Sequence, residues 1–346
     1  MQPLSIPDIE ALRGLFARSR RVGILSHTHP DGDAVGSSAA LAAFLEEALG
    51  KVDTKVILPD PPSRTLHFLL RKGRTIIASE SPEEATAWIE SCDLLVLIDA
   101  NEVKRTEQLE PLFAASRAEK VLIDHHVGPE RERFGCVFSE TEVSSACELL
   151  FWIFMSMPET GGDASKLPAV SARALLAGMT TDTNNFANSV FPTTLQMASM
   201  LLSAGVDRDA LLEKIYNSYR ENRVRAMGYL QSEGLHITPS GAAYMVATKE
   251  IIGRFDIREG ETEGLVNVPL AIDKVKVSVF LKEDDGFFRV SIRSKEGWSA
   301  RNLARLHFHG GGHEKASGGK LFFPEDIASP QDAEAFLERV CEEYMK

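Results

Sequence analysis

Three apolar runs in this chain each end on acids or imidazoles. The run Val-Gly-Ile-Leu-Ser at 22–26 leads into His27, Asp31 and Asp33. Leu-Leu-Val-Leu-Ile at 94–98 ends at Asp99, and Val-Leu-Ile at 121–123 ends at Asp124, His125 and His126. Short β-branched and leucine-rich runs of this kind read as buried strands of a parallel sheet. Open α/β sheets gather ligands just beyond the carboxyl ends of their strands. Three strands delivering carboxylates and imidazoles to one edge predict a metal site built from hard oxygen and nitrogen donors, and a two-metal one.

The rest of the first half alternates in the same way. Residues 34–49 are Ala/Leu-rich and read as a helix ended by Gly50; 56–58 and 75–78 read as strands. A helix is expected at 82–90, with Ser81 as N-cap and Pro82 at its first position. Segments 143–155 and 167–179 are apolar enough for buried helices. This alternation predicts an α/β protein whose N-terminal domain, 1–205, is a doubly wound, mostly parallel sheet. Residues 206–235 carry dense charge among Leu, Ile, Tyr and Met and read as a connecting helix. The texture of 236–346 predicts a smaller α/β domain: strands at 275–280 and 287–292 joined by Glu-Asp-Asp-Gly, then a helix at 299–307. A Gly-rich loop at 310–313 and an amphipathic helix at 330–344 complete it.

Composition narrows what such a chain does. A length of 346 residues suits two domains, each with its own core, and 44% hydrophobic with 25% charged residues is ordinary for a globular protein. There is no bilayer-length apolar run and no signal-peptide pattern, so a cytoplasmic protein with no membrane partner is expected. Cys92, Cys136, Cys147 and Cys341 are dispersed, which argues against disulfides or a thiolate zinc site. A net charge of -12 argues against gripping long nucleic acid but leaves room for a short phosphorylated substrate.

In His27-Thr-His-Pro-Asp31-Gly-Asp33 the Pro30 and Gly32 bend the backbone so that three donors can face one point. Carboxylates two residues apart repel unless cations lie between them; taken alone, the segment is equally an Asx-type turn with solvated aspartates. Asp99, directly after five apolar residues, has a helix N-cap near Val103 as its alternative. Asp124-His125-His126 has a structural histidine pair as its alternative. Asp182, in Thr-Asp-Thr-Asn-Asn-Phe at 181–186, follows an apolar helix where polar residues also serve as caps.

Taken together, HxxPDGD, a strand-end Asp, the DHH triplet and D-T-x-x-F resemble the DHH phosphoesterase superfamily. The C-terminal GGGHxxAxG, here Gly310 to Gly318, resembles that family's usual partner, the first type of DHH-associated domain. The chain looks most like the oligoribonuclease (nanoRNase) and 3′-phosphoadenosine-5′-phosphate phosphatase branch. Ser317 stands where family members usually have a second alanine.

The resemblance implies one metal bound by His27, Asp31 and Asp99, and a second bound by Asp33, Asp99, His125 and Asp182, with Asp99 bridging. Mixed carboxylate and imidazole donors favour two Mn²⁺, with Mg²⁺ or another divalent ion as the alternative. Asp124 is expected to orient a neighbouring histidine, and His126 to touch the phosphate or protonate the leaving oxygen; with Asp99 these are the catalytic candidates. For substrate binding, Gly310, Gly311 and Gly312 would bring backbone N–H groups to an anion, with His313 donating to the same phosphate. Arg293-Ser294 resembles the family's substrate-contacting pair, against the alternative of an exposed strand-end arginine; Arg105 is a weaker phosphate candidate.

The expected activity is therefore hydrolysis of short single-stranded RNA oligonucleotides to mononucleotides by a water activated between two metals, and of 3′-phosphoadenosine-5′-phosphate to AMP. The alternatives are a cyclic or linear dinucleotide phosphodiesterase, then a pyrophosphatase or an inactive nucleotide-binding regulator. A homodimer is left open.

Overall fold

The structure is a computed structural model and describes residues 4–50 and 53–346. Two compact units divide the chain, the first running to Ser218 and the second spanning Tyr219–Lys346. The strands of the first unit are β1 (Val22–Leu25), β2 (Thr54–Leu58), β3 (Thr75–Ile77), β4 (Leu94–Ile98), β5 (Glu119–Asp124) and β6 (Cys136–Ser139). They lie in the order β3-β2-β1-β4-β5-β6, and each neighbouring pair is parallel. Its α-helices are α1 (Ile6–Arg18), α2 (Gly32–Glu47), α3 (Pro82–Ser91), α4 (Glu110–Ala115), α5 (Ala146–Met155), α6 (Ala169–Asp182), α7 (Pro192–Ser203) and α8 (Arg208–Tyr216).

Side chains alternate across a strand, and here both faces are buried. Ile24, Val56, Val96 and Ile123 pack with α1, α2 and α5 to α8; Leu25, Ile57, Leu97 and Leu122 pack with α3 and α4 on the other face. This double cover explains why β1 and β4 read as unbroken apolar runs. The helix expected at 82–90 forms, but Ser81 makes no side-chain cap: its φ of -140° and ψ of 63° lie off the extended geometry that aims a cap oxygen at the helix.

The second unit holds α9 (Glu221–Ser232), β7 (His236–Ile237), β8 (Ala242–Ala247), α10 (Lys249–Arg254), β9 (Val277–Glu283), β10 (Phe287–Ser294), α11 (Ala300–His307), β11 (Gly311–Gly312), β12 (Ala316–Phe322) and α12 (Ala333–Tyr344). Its sheet runs β11-β12-β10-β9-β8-β7, with β8 and β9 parallel and the other pairs antiparallel. Helices α11 and α12 close one face over Val279, Phe288, Ile292 and Leu321.

Where one connecting helix is expected over 206–235, the structure has two, α8 and α9, broken at 217–220. Ser218 turns its hydroxyl back onto Lys214 O at 2.5 Å. Arg220 is extended (φ -69°, ψ 148°), with its guanidinium 3.2 Å from Glu261 Oε2. The first interaction closes the end of α8, and the second holds the residue before α9 in an extended conformation. The cysteines are free, with Cys92, Cys147 and Cys341 buried. Among the described residues, no helix is long and apolar enough to cross a membrane.

Candidate metal centre

Strand order reverses between β1 and β4, which opens a crevice beyond their carboxyl ends. His27 lies just past β1, Asp99 just past β4, and His125 just past β5. Asp31 is the N-cap of α2: its Oδ1 accepts from Asp33 N at 3.0 Å and Ala34 N at 3.1 Å. The Asx-type geometry considered for this segment is thus real, and it leaves Asp31 Oδ1 3.9 Å from His27 Nε2. Asp99 does not cap the helix near Val103, where Glu102 holds that position. It adopts φ +57°, a left-handed conformation that Asp tolerates better than most residues, while its N–H still donates to Ile123 O at 3.0 Å.

Helices α2 and α6 touch backbone to backbone. A Cβ on Gly36 would lie 2.7 Å from Ala174 O, and one on Gly178 would lie 3.0 Å from Gly32 O. This close approach brings Asp33, in the first turn of α2, beside Asp182, the last residue of α6. Asp33 is buried and accepts from Ala146 N at 2.6 Å and Cys147 N at 2.9 Å, the first amides of α5.

The donor atoms of His27, Asp31 and Asp99 all lie within 4.8 Å of one another, and so do those of Asp33, His125 and Asp182. Asp99 faces both sets: Oδ2 is 3.4 Å from His27 Nε2, and Oδ1 is 3.4 Å from His125 Nε2. His125 Nε2 is also 3.7 Å from Asp182 Oδ2 and 3.8 Å from Asp33 Oδ2.

Burial, followed by the charges of Asp99 and Asp182, pushes the Asp33 carboxyl well above the usual carboxylate range. Burial opposes ionisation of Asp99 too, but the imidazoles of His125 and His27 outweigh it and hold that carboxyl well below the range. Burial works against the charged form of His125, yet Asp99 and Asp182 raise its pKa to about 10. Neighbouring carboxyls driven in opposite directions mark a site short of positive charge. Asp99 Oδ1 is buried and, among the described residues, accepts no hydrogen bond, which costs stability unless a cation takes its lone pairs. Carboxylate oxygens and imidazole nitrogens without sulfur fit a hard or borderline divalent ion.

Around these sets, His27 Nδ1 donates to Thr28 O at 2.8 Å, leaving Nε2 as the inward-facing atom. Asp124 is fully buried; its oxygens accept from His126 N at 2.9 Å and His126 Nδ1 at 2.8 Å. His126 Nε2 in turn lies 3.2 Å from Arg105 Nη1. Arg105 also holds the first motif through its backbone, since Thr28 N donates to Arg105 O at 2.7 Å. Sequence reasoning missed Asp60, whose carboxylate accepts from His29 N at 3.0 Å and from the Thr28 hydroxyl. Asp60 lies two residues past β2, a strand end like those of the other donors, and pairing of β1 with β2 brings it to Thr28 and His29.

In the second unit, Arg293 is the penultimate residue of β10, with Nη1 donating to Ile292 O at 2.9 Å. Ser294 is buried, and its hydroxyl is engaged internally, donating to Trp298 O at 2.7 Å and accepting from Ala300 N at 3.2 Å. The expected glycine loop is instead a short edge strand: Gly311 pairs with Gly318 and Gly312 with Ser317. The reason is steric, since a Cβ on Gly310 would stand 2.0 Å from Gly318 O. His313 N then donates to Ala316 O at 2.8 Å, closing a tight turn over Glu314 and Lys315.

Comparison with known proteins agrees with this architecture. Residues 21–179 match the DHH family N-terminal domain and residues 242–346 the DHHA1 domain. The chain is 28% identical to the bifunctional oligoribonuclease and PAP phosphatase NrnA of Bacillus subtilis, over 92% of this chain and 94% of that protein. It is 31% identical to the Thermus thermophilus protein of the same name, over 93% and 90%. An exopolyphosphatase-related protein from Bacteroides fragilis, known from its crystal structure, matches at 33% identity and TM-score 0.89, covering 100% of this chain and 98% of that one. Strand-end donors, strand order and relatives aligned over most of their length converge: this chain belongs to the DHH family.

Proposed function

We propose that the chain is a two-manganese phosphoesterase that degrades very short RNA to mononucleotides and converts 3′-phosphoadenosine-5′-phosphate to AMP. The observation that carries this reading is the placement of Asp99, one oxygen toward His27 and the other toward His125. Asp99 is thereby suited to bridge one ion held by His27 and Asp31 and another held by Asp33, His125 and Asp182. The mixed donor set favours manganese over magnesium, which prefers all-oxygen ligands. Two such ions supply the Lewis acidity that neutralises phosphoryl charge and activates a water at neutral pH.

The chain's own groups do the remaining work. Thr28 O fixes the His27 tautomer, so Nε2 is the ligating atom. Asp124 fixes His126, whose Nε2 and the Arg105 guanidinium meet at one point. An incoming phosphate would draw Arg105 onto its oxygens, and His126 would act on the leaving oxygen through Nε2. In the second unit we assign anion recognition to Arg293, His313 and the open edge at Gly311, while Ser294 holds the start of α11. The name shared by the Bacillus subtilis and Thermus thermophilus relatives supports the substrate class. The net charge of -12 supports short over long nucleic acid.

The testing assay supplies Mn²⁺ with a 5′-phosphorylated RNA dinucleotide, a pentamer, a 24-mer, 3′-phosphoadenosine-5′-phosphate, a cyclic dinucleotide and pyrophosphate. Mononucleotides are expected from the dinucleotide and pentamer at least about tenfold faster than from the 24-mer, with AMP from the phosphoadenosine substrate. Turnover confined to the cyclic dinucleotide or to pyrophosphate would keep the metal reading and replace the substrate.

Metal binding has its own test. With free Mn²⁺ at about 100 times Kd, one site adds about 2.7 kcal/mol and raises Tm by about 5–10 °C, reversed by EDTA. A Tm indifferent to both additions would remove these residues as metal ligands.

A further inference from the structure

The start of α5 reads Ser144-Ser145-Ala146-Cys147-Glu148, and the first amides of any helix lack partners within it. Here each is accounted for. Ala146 N and Cys147 N go to the two oxygens of Asp33, at 2.6 and 2.9 Å. Glu148 N donates to the Ser145 hydroxyl at 3.0 Å, and Leu149 N to Ser145 O at 3.2 Å. Serine followed three residues later by glutamate is the spacing of a capping box, in which the glutamate returns to the serine's own N–H.

Glu148 does something else. It is fully buried, and its Oε2 accepts from Ser144 N at 2.8 Å, Ser144 Oγ at 2.6 Å and, from the first turn of α7, Thr194 Oγ1 at 2.6 Å. Trp152 Nε1 lies 3.4 Å from the other oxygen. Three donors from two segments converge on one oxygen of a side chain in the same helix turn whose first two amides grip Asp33. Truncating this side chain would leave buried donors unsatisfied and free the Ser144–Ser145 turn to shift.

We propose that Glu148 is a positioning residue for Asp33, locking the start of α5 so that the Ala146 and Cys147 amides hold the Asp33 carboxylate in place with His125 and Asp182. This rests on the metal reading above. Each Asp33 oxygen accepts one bond from α5 and keeps a lone pair for an ion, so the aim of the carboxylate is only as fixed as that helix start.

The test is Mn²⁺ titration calorimetry on the full chain, beside amide hydrogen exchange across 144–149. The variants are Glu148→Ala, Glu148→Gln, Thr194→Val and Leu149→Ala. Glu148→Ala is expected to weaken one of two ions by about 10–100-fold, as loss of a partner behind a ligand does, and to speed exchange at Ala146 and Cys147. The other ion should hold. Glutamine can place one oxygen where the donors converge, so Glu148→Gln should stay within about threefold of wild type. Leu149→Ala, a buried truncation on the same helix, should lower Tm and leave both ions unchanged.

Unchanged affinities in Glu148→Ala, or an equal loss in Leu149→Ala, would overturn the proposal. Should Glu148→Ala not fold, Thr194→Val decides, with about three- to tenfold weakening of the same ion expected and no change overturning it. A wild type that binds no ion would remove the metal reading instead. Exchange at Ala146 and Cys147 would then still judge Glu148, and rates equal to wild type would count against it.

Discussion

Replacing Asp99 with asparagine is expected to cut turnover by about 10⁴-fold, close to 5.5 kcal/mol of barrier, with both ions weakened together. Among the described residues, no other side chain turns one oxygen toward each donor set, so no other single ligand replacement should remove a donor from both ions. Asparagine is the informative substitution because it keeps the size of the side chain and tolerates the φ of +57° found at this position. Alanine would add about 1 kcal/mol of backbone strain to the loss of charge and blur the result. The metal-free variant should unfold at a lower temperature than the metal-free wild type, because the His125 and His27 imidazoles that hold the Asp99 carboxyl below its usual range lose their partner. Residual turnover above about a hundredth of wild type, with both ions still bound, would show that Asp99 does not bridge.

Gly36→Ala should also be damaging, although Gly36 is not one of the donors. A Cβ there would lie 2.7 Å from Ala174 O and 3.0 Å from the Cα and N of Gly178. All three are backbone atoms, so no rotamer change relieves the clash and α2 must part from α6. The expected cost is about 2–3 kcal/mol of stability. Misplacing Asp33 relative to Asp182 by about 1 Å should cost about 100-fold in turnover. Gly228→Ala, inside α9 with nothing within 4 Å of its Cβ position, is the control and should stabilise by about 0.5–1 kcal/mol. Thermal unfolding and kcat for the two variants decide the matter; equal behaviour would refute the packing argument.

The sequence carried the donors and most of the first sheet because parallel strands buried on both faces leave unbroken apolar runs, as β4 does at Leu94–Ile98. Donors placed immediately after such runs are legible for the same reason. Edge strands leave a weaker trace: β3 is legible at 75–78, whereas β6, only partly buried, offers three apolar residues and no donor of either set directly after them. The glycines at 310–312 read as a loop because composition signals freedom, whereas the structure uses the missing side chains for strand contact. Charge density over 206–235 reads as one helix, because the pull of Asp256 and Glu261 on Arg220 comes from residues distant in sequence. The same limit applies at Asp33. Its acidity was visible, but its dependence on α5 needed the packing of segments far apart in the chain.

The order of the donors along the chain has a consequence for how the centre is made. The set of His27, Asp31 and Asp99 is complete once β4 has been synthesised, whereas the set of Asp33, His125 and Asp182 awaits the last residue of α6. At about 5–20 residues per second, several seconds separate the two on the ribosome. In the first part of that interval neither the α5 amides that grip Asp33 nor Asp182 has been made. The nascent chain thus carries every donor of one set well before the last donor of the other has been made.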